Sequence, residues 1–170
     1  MNIEIKSLWK KSASEIIKLL SKKEVSPLEV LNSSINRIEE VNHEINAVIT
    51  LTKERAKDNL VKKENTNANR KLKSMPVLIK DINDVKDVRT TYGSRLYSDN
   101  IPNKSDIMVD TLEKNGGVIL GKTNVPEFAA GSHTYNELFG LTKNPWNINL
   151  SAGGSSGGSA AALASGMAWF

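Results

Sequence analysis

Cysteine is absent from the 170-residue sequence. That removes disulfides, thiolate nucleophiles and cysteine-based zinc sites together. Only two histidines are present, leaving little scope for a histidine metal centre. No apolar stretch reaches the roughly 18–20 residues that a membrane span needs. The opening residues, Met1 through Lys6, lack the apolar run of a signal peptide, so a protein made and kept in the cytosol, with no membrane role, is expected. Lysine and arginine number 23 and aspartate and glutamate 19, for a net charge of +4. So mild and scattered a balance argues little for direct contact with nucleic acid. What is there is a globular pattern. Leu, Ile, Val and Ala recur along the whole chain, which argues against disorder. A domain of about 150 residues buries about two-thirds of its unfolded surface, enough for one α/β core.

The first 70 residues read as helical and polar. Ser12 and Glu15 fit a capping box, the serine accepting the Glu15 amide while the carboxylate reaches back. Ile16, Ile17, Leu19 and Leu20 then supply an apolar face. Ser26-Pro27-Leu28-Glu29 repeats the signal with proline at the first helical position, and Val30, Leu31, Ile35, Ile38 and Val41 keep the 3.6-residue period. Ala47-Val48-Ile49 is expected as a short buried strand, Glu54 to Lys63 as an exposed helix, and Asn65 to Lys73 as a surface loop. Pro76-Val77-Leu78-Ile79 reads as a buried strand with Lys80 and Asp81 at its tip. Ser105 or Asp106 is expected to cap a helix through about Lys114, ended by Asn115-Gly116-Gly117. Val118-Ile119-Leu120 is a second buried strand, and residues 121–151 are expected to be rich in loops. The run Ala152-Gly153-Gly154-Ser155-Ser156-Gly157-Gly158-Ser159 opens into an alanine-rich helix whose small residues suit close packing on several sides. Strands alternating with helices favour an α/β architecture.

Three constellations bear on chemistry. The Gly/Ser loop lets a backbone or ligand approach closely, and the helix after it points free N–H groups back at the loop. Its hydroxyls suit a nucleophile, a proton carrier or an oxyanion donor, against the plainer reading of a flexible linker or ordinary cap. Lys80, at the end of an apolar strand, is the second. A lysine drawn out of water loses charge more readily and can act as a base near neutral pH, whereas a solvated one is a surface charge. The third, Gly116 to Thr123, satisfies the spacing of a phosphate-cradling loop. Its intervening residues read as the strand itself and Pro126 follows closely, so nucleotide binding is not expected.

Several blocks resemble the amidase signature family in order and spacing. They are Pro76 through Asp81, Thr90 through Ser94, Gly121 through Ala129, Asn144-Pro145-Trp146, and Ser151 through Ala162. The resemblance covers at least residues 75–170 and reaches more loosely over the N-terminal helices. It implies a mixed β-sheet flanked by helices on both faces, and hydrolysis or transfer of amides by a Ser–cis-Ser–Lys triad without cofactor or metal. Carried over, Lys80 is the neutral base, and Ser155, after a cis peptide bond, relays the proton between nucleophile and lysine. Ala129 falls where the family lines its acyl pocket. The implied partner is a small-molecule amide. The text Leu150 to Gly154 looks more like general amidases than the transamidating branch. That branch, the A subunit of glutamyl-tRNA amidotransferase, is the runner-up.

Two departures matter. Ser74 stands where the family usually has glycine. More important, the family's nucleophilic serine lies about two dozen residues beyond its middle serine, in a Gly-Gly-Ser turn that also forms the oxyanion hole, and this places it past Phe170. Ser156 or Ser159 would lack those donors, worth about 3–4 kcal/mol each in comparable enzymes. Residues 1–170 are therefore expected to be the N-terminal portion of a single amidase domain, truncated before the nucleophile, its partner a homodimer mate or the missing C-terminal portion, or else a non-catalytic fragment or binding module. The 170-residue chain alone is expected to turn over no simple amide and to aggregate or bind a hydrophobic dye, its sheet lacking partner strands. Turnover of a simple amide that is lost in Lys80→Ala, or a cooperative monomeric melt, checks these two expectations.

Overall fold

The N-terminal helices begin where side chains can satisfy their free amides. In the computed structural model, which describes residues 5–64 and 70–170, helix α1 (Ala13–Ser21) and helix α2 (Pro27–Ile45) both open with complete capping boxes. The Ser12 hydroxyl and amide donate to Glu15 at 2.7 and 2.8 Å, and the Ser26 amide and hydroxyl donate to Glu29 at 2.7 and 2.9 Å, which holds both carboxyls below their ordinary pKa. Asn46 ends α2 in the left-handed conformation, as its short polar side chain permits. A 3-10 turn, Ile5–Lys10, precedes α1.

Strand β1 (Val48–Leu51) leads into helix α3 (Lys53–Glu64). This helix is not exposed all round, because Ala56 and Leu60 are buried. The expected surface loop 65–73 lies outside the described residues at 65–69. Ser74 has φ +65, a conformation natural to glycine, which accounts physically for the usual residue at that point. Strand β2 (Pro76–Lys80), helix α4 (Ile107–Lys114) and strand β3 (Val118–Thr123) follow. Asp106 is the N-cap residue of α4 but makes no side-chain cap bond. Its carboxylate instead accepts from Asn83 Nδ2 and the Asp84 amide, both at 3.1 Å. Sequence spacing finds the helix start and misses this long-range use of the acid.

The main sheet has the order β1-β3-β2, with β1 antiparallel and β2 parallel to the central β3. It is a mixed sheet in an α/β fold. Alternate residues face opposite layers. Leu78, Val118 and Leu120 pack with Ile35 and Ile38 of α2, Ala56 of α3 and Ala161 of α5 (Gly157–Ala164). Val77, Ile79 and Ile119 pack on the other face with Val109 and Leu112 of α4. Helices thus cover both faces, each buried aliphatic side chain contributing about 1.5–3 kcal/mol relative to exposure. A smaller core of Leu8, Ile16, Leu20, Val25, Val30 and Met75 seats the N-terminal segment, with Trp169 packed on it.

Residues 121–151 hold more regular structure than their composition suggests. β3 runs on to Thr123, and two small antiparallel pairs follow, β4 (Tyr135–Asn136) with β5 (Gly140–Leu141) and β6 (Lys143–Asn144) with β7 (Asn147–Ser151). Side-chain amides organise this region, Asn136 Oδ1 accepting from the amides of Leu138 and Phe139 at 3.0 and 2.8 Å. Helix α5 is not packed on several sides: Gly157, Gly158, Ala161 and Ala162 are buried on one face, while Leu163 is 46% exposed. No described helix is long and apolar enough to cross a membrane. Ile119, fully buried at the sheet centre, sets a measurable expectation: in the full-length protein Ile119→Ala lowers stability by about 3 kcal/mol in urea unfolding, through lost transfer energy and the cavity left behind.

Candidate active site

Lys80 ends β2 in register with Thr123 at the end of the parallel neighbour β3. The carboxyl ends of parallel strands are where α/β sheets open crevices. Helix α5 starts directly over them, with Ser159 Oγ 2.7 Å from Thr123 Oγ1. Between strand and helix comes the turn 153–156. Gly153 adopts φ +76, and the Gly154–Ser155 peptide bond is cis, as the family resemblance implies. Lys80 Nζ lies 2.8 Å from Ser155 Oγ and 3.0 Å from Ser156 Oγ. The two residues singled out from sequence are thus brought together, with a second hydroxyl beside them. Loss of water pushes the Lys80 ammonium below its ordinary pKa.

Asp81 follows Lys80 in sequence yet engages elsewhere. It is fully buried and forms a 2.9 Å ion pair with Lys122 of β3, also fully buried. Its second oxygen accepts from the Thr91 amide and hydroxyl at 3.0 and 2.6 Å. Lys122 also donates to Asn83 O at 2.9 Å and Thr90 Oγ1 at 2.6 Å. Burial lowers the Lys122 pKa, and the Asp81 carboxylate opposes that shift. Lys122 is the lysine of the phosphate-loop look-alike. Here it is a strand residue held in an internal ion pair, with no free cradle around it. The pair joins residues far apart in sequence, and its one sequence signal is a lysine inside an otherwise apolar strand.

Ala129 sits on a 3-10 turn, Glu127–Ala129, with φ +58 and its amide donating to Pro126 O at 2.8 Å. The bonds joining Lys80 and Ser155 do not involve it. The chain after this turn passes close to the site, because a β-carbon on Gly154 would meet Gly131 O and the His133 amide at 2.9 and 3.0 Å. The same segment borders an open cavity of about 500 Å³ between residues 93–96 and 126–137, lined among others by Arg95, Glu127, Ala130 and His133. No cluster of potential metal ligands exists among the described residues.

The amidase family profile matches residues 29–170. The chain belongs to the amidase family. It is 43% identical over 162 residues to an A subunit of the glutamyl-tRNA(Gln) amidotransferase of Clostridium acetobutylicum, covering 93% of this chain and 33% of that protein. Among solved structures, fatty acid amide hydrolase superposes with a TM-score of 0.90 at 28% identity, over 99% of this chain and 31% of that one. The 6-aminohexanoate cyclic dimer hydrolase superposes at 0.85 with 31% identity, over 98% of this chain and 33% of that one. The chain spans about a third of the length of the curated relatives it matches.

The buried ion pair beside this candidate site carries its own expectation. In the full-length protein Lys122→Met leaves the Asp81 carboxylate buried without its cation and costs about 3–5 kcal/mol. The double variant Asp81→Asn/Lys122→Met recovers part of that loss, and a double-mutant cycle by chemical denaturation measures the coupling.

Proposed function

We propose that this chain supplies the general base and the proton relay of an amide-cleaving enzyme, Lys80 being the base and Ser155 the relay. The observation that carries the reading is the 2.8 Å contact between Lys80 Nζ and Ser155 Oγ at the strand tip. A neutral amine there has a lone pair for the Ser155 proton, and Ser155 Oγ in turn accepts a proton from an attacking hydroxyl. As that hydroxyl oxygen bonds the amide carbon, its proton passes to Ser155 and the Ser155 proton passes to Lys80. Collapse of the tetrahedral adduct breaks the C–N bond, and the same two groups return a proton to the leaving nitrogen. Hydrolysis of the acyl intermediate then consumes one water and releases the acid.

On this reading residues 1–170 are the N-terminal portion of a single amidase domain, with the nucleophilic serine C-terminal to Phe170 and Ala129 beside the acyl group. The substrate is a small carboxamide. The position of Ala129 on the turn that leads into the cavity lining supports the place given to it. The one-third coverage of the relatives supports the division of the domain.

A second reading, release of ammonia from glutamine within an amidotransferase complex, is favoured by the 43% identity with the clostridial protein. Ammonia release by the full-length protein from L-glutamine, compared with a small aryl amide, separates the two. Stable association with tRNA and a second polypeptide supports the glutamine reading, and free hydrolysis of the aryl amide opposes it.

In the full-length protein Lys80→Ala lowers kcat/KM about 10³-fold, within the range for losing a positioned base. Lys80→Arg fails to rescue it, because a guanidinium does not give up its proton. Since the working form is the neutral amine, kcat/KM rises with pH through the Lys80 pKa and then levels. Desolvation moves that rise below the ordinary lysine range. A flat profile, or activity surviving Lys80→Ala, overturns the assignment.

A further inference from the structure

Ser155 sits in a turn whose own composition does not hold it still. Gly153 and Gly154 precede it and Gly157 and Gly158 follow Ser156, and glycine-rich backbone has many conformations to choose from. One residue outside the turn touches both of its ends. Thr134, fully buried just before β4, donates its hydroxyl to Gly153 O at 2.8 Å and accepts the Gly157 amide on the same oxygen at 2.9 Å. Its own amide donates to Gly153 O as well, at 2.8 Å. A threonine hydroxyl has one proton to give and lone pairs to receive, so both bonds form at once.

The clamp is anchored in turn. Thr134 O accepts the Thr142 amide at 2.9 Å, and Thr142 Oγ1 donates to Asn46 O at the end of α2 at 2.7 Å. The Gly157 amide is part of the free N-terminus of α5. Ser156, the N-cap residue, makes no side-chain cap bond there, and its hydroxyl lies 3.0 Å from Lys80 Nζ instead. Thr134 therefore does for α5 what its own cap residue does not, and leaves Ser156 free to face the lysine.

We propose that Thr134 is a positioning residue for amide cleavage, its hydroxyl bridging Gly153 O and the Gly157 amide so that Ser155 stays within hydrogen-bond reach of Lys80. This rests on the reading of Lys80 and Ser155 given above, so the experiment separates the two. In the full-length protein, Thr134→Val keeps the branched shape and removes the hydroxyl, while Thr134→Ser keeps the hydroxyl. Each variant is assayed below its own melting temperature, with L-glutamine and a small aryl amide as probes and Lys80→Ala as control. Thr134→Val lowers kcat about 10²-fold with KM within roughly threefold of wild type, the size expected for misplacing a catalytic group by about 1 Å. Thr134→Ser restores kcat. Should the valine variant not fold, Thr134→Cys, whose thiol is too weak to hold both bonds, carries the same expectation.

A second readout needs no turnover. With carbon-13 lysine labelling, and Lys80→Ala to assign the signal, the Lys80 titration midpoint rises towards that of an ordinary lysine in Thr134→Val, as water reaches the amine, and returns in Thr134→Ser. An unmoved midpoint, an unchanged kcat, or equal losses in the valine and serine variants overturns the role of Thr134. Full turnover in Lys80→Ala instead overturns the reading of the base, and the titration still decides the clamp.

Discussion

Asp81 and Lys122 neutralise each other where no water reaches them, and the behaviour of Lys80 depends on that pairing. Successive strand residues point to opposite sides, so a carboxylate one residue after Lys80 can turn away from it. Were that carboxylate free, its charge would favour the ammonium form of the neighbouring lysine. It is held instead by Lys122 and by Thr91, and the shift on Lys80 has desolvation as its cause. The same ion pair gathers Asn83 and Thr90 onto β3, fixing the loop that leaves the strand tip. A buried pair of this kind is poor evidence for stability in itself, since hydrophobic replacements often match it. Its value here lies in disposing of a charge that would otherwise sit beside Lys80.

The site is assembled from three stretches distant in sequence: the tip of β2, the segment 131–136 and the turn 153–156. Lys80 and Ser155 are 75 residues apart in the chain, and Thr134 lies between them. Each stretch arrives by a different physical route. The strand tip is delivered by the apolar alternation of β2, the turn by the small residues of α5 against the sheet, and the middle segment by buried amide and hydroxyl bonds among Asn124, Asn136 and Thr142. That last route has no apolar periodicity, and it is where composition suggested loops.

What could be read from the sequence follows the range of the interactions. Both capping boxes are local, four residues from end to end, and Ser12 and Ser26 were legible for that reason. The buried strands were legible because each is a short apolar run, and the pairing of Lys80 with Ser155 came from family likeness joined to the chemistry of lysine. The use of Asp106 for the 83–84 loop, the ion pair at Lys122 and the bridging by Thr134 join residues far apart in sequence. No period or spacing announces them. The one-sided burial of α5 was hidden for another reason, because alanine and glycine suit either a packed or an exposed face and the partner layer alone decides which.

Gly158 lies in the first turn of α5 against Asn124, where a β-carbon would fall within contact of that residue's main-chain nitrogen and oxygen. Main-chain atoms at the end of a central strand cannot swing aside as a side chain can. The limit is one of space and not of backbone conformation, so even alanine, the smallest change available, lifts the helix away from the sheet and carries the hydroxyl-bearing turn with it. Position 158 is thereby restricted to glycine by the shape of its neighbour. Any chain that keeps this helix-to-strand distance meets the same limit there, for a reason that has nothing to do with chemistry.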